Sequence, residues 1–125
     1  MLRGMTSAKE RTTSAEELYG RWIDELWAGE PIANELVSDD FVGHWPDRDI
    51  HGPDELTAMV DKIRSMLSDL QFVTEGEPLV EGDMLAARWI GTGAMPDGPK
   101  LFTGKDVFKV VDGRFVEYWA GTAEG

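Results

Sequence analysis

Asp106-Val107-Phe108-Lys109-Val110-Val111-Asp112-Gly113-Arg114-Phe115-Val116-Glu117-Tyr118-Trp119 reads as a β-hairpin. Its centre, Asp112-Gly113, is the pair that a two-residue hairpin turn favours, because both turn residues need positive φ. Around it apolar and polar residues alternate, as in strands with one buried face. Alternation sets Asp106, Phe108 and Val110 on one face and Lys105, Val107 and Lys109 on the other. The face with Phe108 and Val110 is the better candidate for a concave, buried side. A carboxylate at Asp106 is therefore expected inside. On the second strand, Trp119 shares parity with Phe115 and Glu117.

The same two-residue period extends upstream. Leu101 to Val111 is one long strand, preceded by a Pro96-Asp97-Gly98-Pro99 loop and a strand from Met84 to Ala94. Glu81-Gly82-Asp83 is a turn, and Phe72 to Val80 is a further strand, bent or interrupted at Gly76 and Pro78. Before Leu70 the period is helical. Gly52-Pro53-Asp54-Glu55 opens a helix with Pro in its first turn and acids at its positive end. Leu56, Met59, Val60, Ile63 and Leu67 form its stripe. Asp47 to His51 reads as a polar loop, and Phe41 to Trp45 as a short strand stopped by Pro46. A helical turn is expected around Ile32 to Val37. Ser14 and Glu17 have capping-box spacing, and Leu18, Trp22 and Leu26, with Tyr19, Ile23 and Trp27 beside them, give the first helix one broad apolar face. That helix ends at Gly29 and Pro31. Helices first and a meander of strands after argue an α+β fold with an antiparallel sheet. Residues 1–13 read as a flexible leader and 14–125 as a single domain.

At 125 residues the chain can bury a core with room for a cavity. Twelve Lys and Arg against 24 Asp and Glu leave a formal net charge of −12. Such a surface repels phosphate backbones and anionic lipid, so no nucleic-acid or membrane partner is expected. The chain has no cysteine, which removes disulfides, thiol nucleophiles and zinc–thiolate sites and fits a cytoplasmic location. Gly91-Thr92-Gly93 sits inside a strand, without the helix start and Lys of a phosphate loop. His44 and His51 lack metal-ligand spacing, so no metal is expected.

The ordered set Glu81-Gly82-Asp83, Arg88-Trp89, Gly91-Thr92, Thr103-Gly104 and Asp106 to Trp119 resembles the SnoaL-like polyketide cyclases. These belong to the nuclear transport factor 2-like superfamily, which also holds ketosteroid isomerases. The resemblance spans roughly Ser14 to Trp119. It implies a cone-like fold, with a strongly curved sheet wrapped around about three helices and a deep apolar pocket at one end. It also implies acid–base chemistry without a cofactor, and pairing of two copies through the outer sheet face. Two positions depart from the family pattern. The His that many members carry after Gly-Thr is Gly93 here, and the acid after the final Trp is Ala120.

With those groups missing, other residues must carry any chemistry. Asp106 in a buried setting suits a general acid or base. His44, on the strand that borders the pocket in the family, could be oriented by Asp106 as a catalytic pair. Arg88 could bind an enolate or carboxylate, or pair with Glu117. Tyr19 could offer its hydroxyl to a substrate oxygen, while Trp22, Trp45, Glu117 and Trp119 are candidate pocket contacts. The sequence thus leaves two readings. One is a cofactor-independent cyclase, isomerase, dehydratase or hydrolase acting on a small apolar oxygenated metabolite. The other is a non-catalytic module binding a hydrophobic ligand or a protein.

Overall fold

The first helix starts as its capping box dictates. Ser14 Oγ accepts from the Glu17 amide at 3.0 Å, and Glu17 Oε1 accepts from the Ser14 amide at 3.2 Å. The computed structural model describes residues 14–124, so the expected leader of 1–13 lies outside the described residues. Helix α1 (Ala15–Arg21) runs on as a π-helical turn, Trp22–Leu26. This turn keeps Leu18, Tyr19, Trp22, Ile23 and Leu26 all buried on one side. Helix α2 (Ala33–Leu36) fills the expected helical turn, and α3 (Gly52–Met66) begins with its Pro in the first turn.

Six strands follow the order β2-β1-β6-β5-β4-β3 in one sheet. They are β1 (Val37–Trp45), β2 (Arg48–His51), β3 (Ser68–Glu81), β4 (Met84–Met95), β5 (Gly98–Val111) and β6 (Arg114–Glu124). Strands β3 to β6 form the expected antiparallel meander. Strand β1 joins it by pairing parallel with β6. The stretch read as a polar loop is in fact β2. Its side chains are polar except Ile50, but that one is buried, and four ladder pairs with β1 hold the backbone. Backbone pairing and one core contact here outweigh composition.

The Asp112-Gly113 turn takes positive φ at both residues, +52° and +77°. Strand β3 changes register between Glu75 and Leu79, where Gly76 and Pro78 interrupt the ladder. A second irregularity matters more. Val110 pairs with Phe115, but Lys109 pairs with Glu117, so Val116 is one extra residue on β6. Such a bulge reverses the alternation beyond it. Phe115 and Tyr118 both face the core as a result, and Trp119 faces out, against its parity in the sequence. Between helices and sheet sits an aromatic core. Phe108 stacks on Phe115 at 4.1 Å, and Trp22 meets Phe108 edge-on at 4.9 Å.

Candidate active site: a buried carboxylate in an apolar cavity

A cavity of about 220 Å³ lies between the helices and the inner sheet face. Aromatic side chains build most of its wall: Trp22 and Trp27 from the first helix and its end, Trp45 from β1, and Phe72, Trp89 and Phe102 from the meander. Glycines make space for these rings. A Cβ at Gly104 would collide with the Trp89 indole, and one at Gly91 would lie 2.7 Å from the Phe72 ring. Residues 89 and 104 are direct cross-strand partners. The bare backbone at Gly104 is therefore the seat that lets Trp89 lie flat along the cavity wall.

Three polar side chains interrupt this lining: Asp106, Tyr118 and Thr122. Asp106 is 2% exposed, and alternation along β5 turns it inward together with Phe108, as the sequence indicated. Both of its oxygens are held. The Tyr118 hydroxyl donates to Oδ1 at 2.6 Å, and the Tyr19 hydroxyl donates to Oδ2 at 3.0 Å. Burial pushes the carboxyl above its ordinary range, while hydrogen bonds from Tyr118, the Trp89 indole and Tyr19 pull the other way without cancelling it. Burial, followed by the neighbouring charge, also raises Tyr19 and Tyr118, so both stay protonated donors. A carboxylate oxygen has two acceptor sites. Tyr118, Tyr19 and the Trp89 indole take three of the four sites, which leaves one acceptor site of Asp106 for the cavity.

His44 does not meet Asp106. In β1 the inner positions are Phe41, Gly43 and Trp45, so His44 points to the opposite face. There it bridges two carboxylates, with Nε2 at 2.7 Å from Glu117 and Nδ1 at 3.0 Å from Asp49. These bonds, Glu117 first, raise its pKa, and its ring stacks on Trp119 at 5.8 Å. Glu117 and Trp119 thus also belong to the outer face, because of the bulge at Val116. Arg88 stands between the buried Ala87 and Trp89 and faces outward too. Its partner is Glu75 at 3.7 Å rather than Glu117. Tyr19 is buried behind Asp106 and is absent from the cavity wall, so its hydroxyl serves the carboxylate instead of a ligand. Trp22 and Trp45 do line the cavity.

Sequence reasoning missed Tyr118 and Thr122. The signal for Tyr118 was present, since a buried tyrosine needs a hydrogen-bond partner and Asp106 lies on the paired strand. The bulge hid it by reversing the parity. Among the described residues, no group of three or more His, Asp or Glu side chains could hold a metal ion. No helix among them is long and apolar enough to cross a membrane.

Comparison with known proteins agrees with this architecture. The family model of the SnoaL-like domain matches residues 20–118. A protein of Jannaschia sp. CCS1, assigned as a SnoaL-like polyketide cyclase, superposes with a TM-score of 0.75 at 22% identity, covering 85% of this chain and 83% of that one. One of Bacillus cereus ATCC 10987, assigned as a polyketide cyclase, gives 0.76 at 24% identity, covering 85% and 72%. A Catenulispora acidiphila protein with a ketosteroid isomerase-like fold, solved with trimethylamine, gives 0.75 at 11% identity, covering 86% of each chain. No curated protein matches. The fold is that of the nuclear transport factor 2-like proteins, and the chain belongs to the SnoaL-like family.

Proposed function

We propose that this SnoaL-like domain is a cofactor-independent acid–base enzyme acting on a small apolar molecule that bears a carbonyl or phenolic oxygen, with Asp106 as its proton-transfer group. One observation carries the reading: a carboxylate 2% exposed, aimed into an apolar cavity and fixed on both oxygens. A desolvated carboxylate is a stronger base than one in water, and a raised pKa lets it take a proton and return it near neutral pH. The proton moves from an acidic carbon of the substrate to a free lone pair of Asp106, leaving an enolate. Its return to a different atom completes an isomerisation; alternatively the enolate carbon attacks a second carbonyl, whose π electrons move to oxygen, and return of the proton from Asp106 to that alkoxide completes a ring closure. Tyr118 and Tyr19 act as positioning residues, since their hydroxyls hold the carboxylate in one orientation. At about 220 Å³ the cavity exceeds the ~150 Å³ that encloses benzene and falls short of the ~300 Å³ of drug-sized pockets. One or two rings suit it.

The test does not need the natural substrate. Cyclic ketones and phenolic ketones are incubated with the protein in D2O, and exchange of their acidic C–H is followed by NMR. Wild type is expected to accelerate exchange for at least one of them, and Asp106→Asn to lose about 10²- to 10⁴-fold. Binding without exchange would favour the second reading, a ligand carrier. That reading has its own support, since Asp106 and Tyr118 are the only titratable groups lining the cavity among the described residues.

Pairing of two copies across the outer sheet face belongs to the same proposal. Leu79 pairs with Ala86, Ala86 with Val107 and Val107 with Trp119, which sets an apolar row across four strands. Leu79 is 75% exposed. Sedimentation is expected to show a dimer in wild type and a monomer for Val107→Glu. A monomeric wild type would remove this part of the reading.

A further inference from the structure

The row next to the apolar one on the outer face is charged. Arg88 on β4 stands directly opposite Lys105 on β5. Like charges facing across a ladder are unfavourable, and this pair occurs in a chain whose net charge is −12, where acids are plentiful. Compensation is thin even so. Among the described residues Arg88 has only Glu75, at 3.7 Å and with both side chains at least half exposed. Among the described residues, no hydrogen bond or ion pair links Lys105 to an acid. The two cations border a groove of about 490 Å³, whose wall also includes the carboxylate of Glu75 and Thr103, Pro46, Trp89 and Thr122.

The last three of those residues line the inner cavity as well. The sheet topology explains how a groove on one face meets a cavity on the other. Pairing of β1 with β6 ends at His44 and Trp119. Beyond it β6 is an edge strand, and Gly121, with no side chain, lies opposite Lys105. Around that bare edge the groove and the cavity share Pro46, Trp89 and Thr122. The apolar chamber and the groove thus adjoin across a shared wall, and the groove side carries two cations against one carboxylate, Glu75.

We infer that the molecule entering this site is an amphiphile, an apolar ring system with an anionic group such as a carboxylate, whose ring fills the aromatic cavity while Lys105 and Arg88 hold the anion in the groove. The inference rests on the cavity reading above and adds the charge class of the ligand. It also fits the placement of Asp106. A ligand anion beside that carboxylate would meet repulsion in a medium of low dielectric. With the anion in the groove, the ring end is left to approach Asp106. Arg and Lys give an anion charge-assisted hydrogen bonds, which a neutral isostere cannot match.

Matched pairs provide the test. Benzoate and naphthoate are compared with benzamide and naphthamide by titration calorimetry on the full chain, at low and at moderate salt. Wild type is expected to prefer the acids by about tenfold, less at higher salt. Arg88→Gln/Lys105→Gln is expected to bind acid and amide equally, with unchanged affinity for the amide. Asp106→Asn is expected to keep the preference for the acids while losing proton exchange, so that charge recognition and chemistry fail separately. Equal binding of acid and amide by wild type overturns the inference and leaves the cavity reading intact. Failure of all four probes to bind overturns both. A double variant that turns a dimer into monomers yet keeps the preference for the acids also overturns the inference, because the cations would then serve the partner copy.

Discussion

Tyr118→Phe removes one hydroxyl and nothing else from the wall of the cavity. In the native protein that hydroxyl donates to Asp106 Oδ1 at 2.6 Å, in a site where Asp106 is 2% exposed. A hydrogen bond to a charged group contributes about 1.5–3 kcal/mol and a neutral one about 1 kcal/mol. The loss should therefore depend on whether Asp106 is ionised. The folded-state pKa of Asp106 lies above the ordinary 3.8, first because of burial. For such a group the folded state holds its proton more tightly than the unfolded chain. Its ionisation thus subtracts from stability as pH rises from the unfolded value through the folded one. Removing the Tyr118 donor raises the folded pKa further and enlarges that subtraction. Urea unfolding of wild type and Tyr118→Phe at pH 4 and pH 8 measures this directly. Every other titrating group cancels in the difference between the two proteins. The expected cost is about 1 kcal/mol where Asp106 is protonated and about 2–3 kcal/mol where it is ionised, so it grows from pH 4 to pH 8. An equal cost at both pH values would refute the argument, because the Tyr118 bond would then be indifferent to the charge on Asp106.

Gly104→Ala forces a Cβ into the Trp89 indole, so the ring must leave its seat. A loss of about 1–3 kcal/mol is expected from overpacking, read as a lower Tm, with a shift in tryptophan emission as the cavity wall is rebuilt. His44→Ala should leave proton exchange unchanged, because the ring lies on the opposite sheet face from Asp106. The pKa of His44 is raised, by Glu117 first, so its stabilising effect is fully present below the unfolded value of 6.5 and is lost as pH rises through the folded value. Because the pair is about a third exposed, the difference at pH 5.5 should stay under about 1 kcal/mol and shrink at pH 9. Ser14→Ala removes the Oγ that accepts from the Glu17 amide, keeps the backbone amide that donates to Glu17, and should cost about 1 kcal/mol, seen in thermal unfolding.

The fold was legible because several levels of the sequence agree. The Asp112-Gly113 turn, the alternation around it and the helical stripes all point to one architecture. The site was legible only where strict alternation holds. It places Asp106 correctly, and it places His44 correctly too once Phe41 and Trp45 are taken as the inner residues of β1. The expected His44–Asp106 pair set that alternation aside in favour of chemical appeal. The roles of Glu117, Tyr118 and Trp119 were hidden by a single extra residue at Val116. A bulge leaves no reliable mark when both registers offer an aromatic to the core. Arg88 was undetermined because its strand is apolar on both faces, and only the pairing shows which face is the outer one.

Two positions where the chain departs from its family pattern gain a physical meaning from the sheet register. Ala120 stands where other members carry an acid, and it is the direct cross-strand partner of Asp106. Such partners have Cβ atoms about 5 Å apart and point to the same face. The chain has therefore not lost the carboxylate from this patch of the sheet but carries it one strand over. Gly93, in place of the family histidine, lies beside two residues of the cavity wall, since a Cβ there would contact Leu67 and Leu70. The carboxylate alone is left at the floor, held by two tyrosines. If placement in this patch is what the chemistry requires, the acid should be transferable. Asp106→Ala/Ala120→Asp is expected to recover part of the proton exchange that Asp106→Ala abolishes. It should remain at least about tenfold below wild type, because Tyr19 and Tyr118 no longer hold the new carboxylate at its best angle. The same NMR exchange assay decides it. Recovery would show that the position on the sheet governs the chemistry. No recovery, with both variants folded by circular dichroism, would show that the two tyrosine bonds to Asp106 are themselves indispensable.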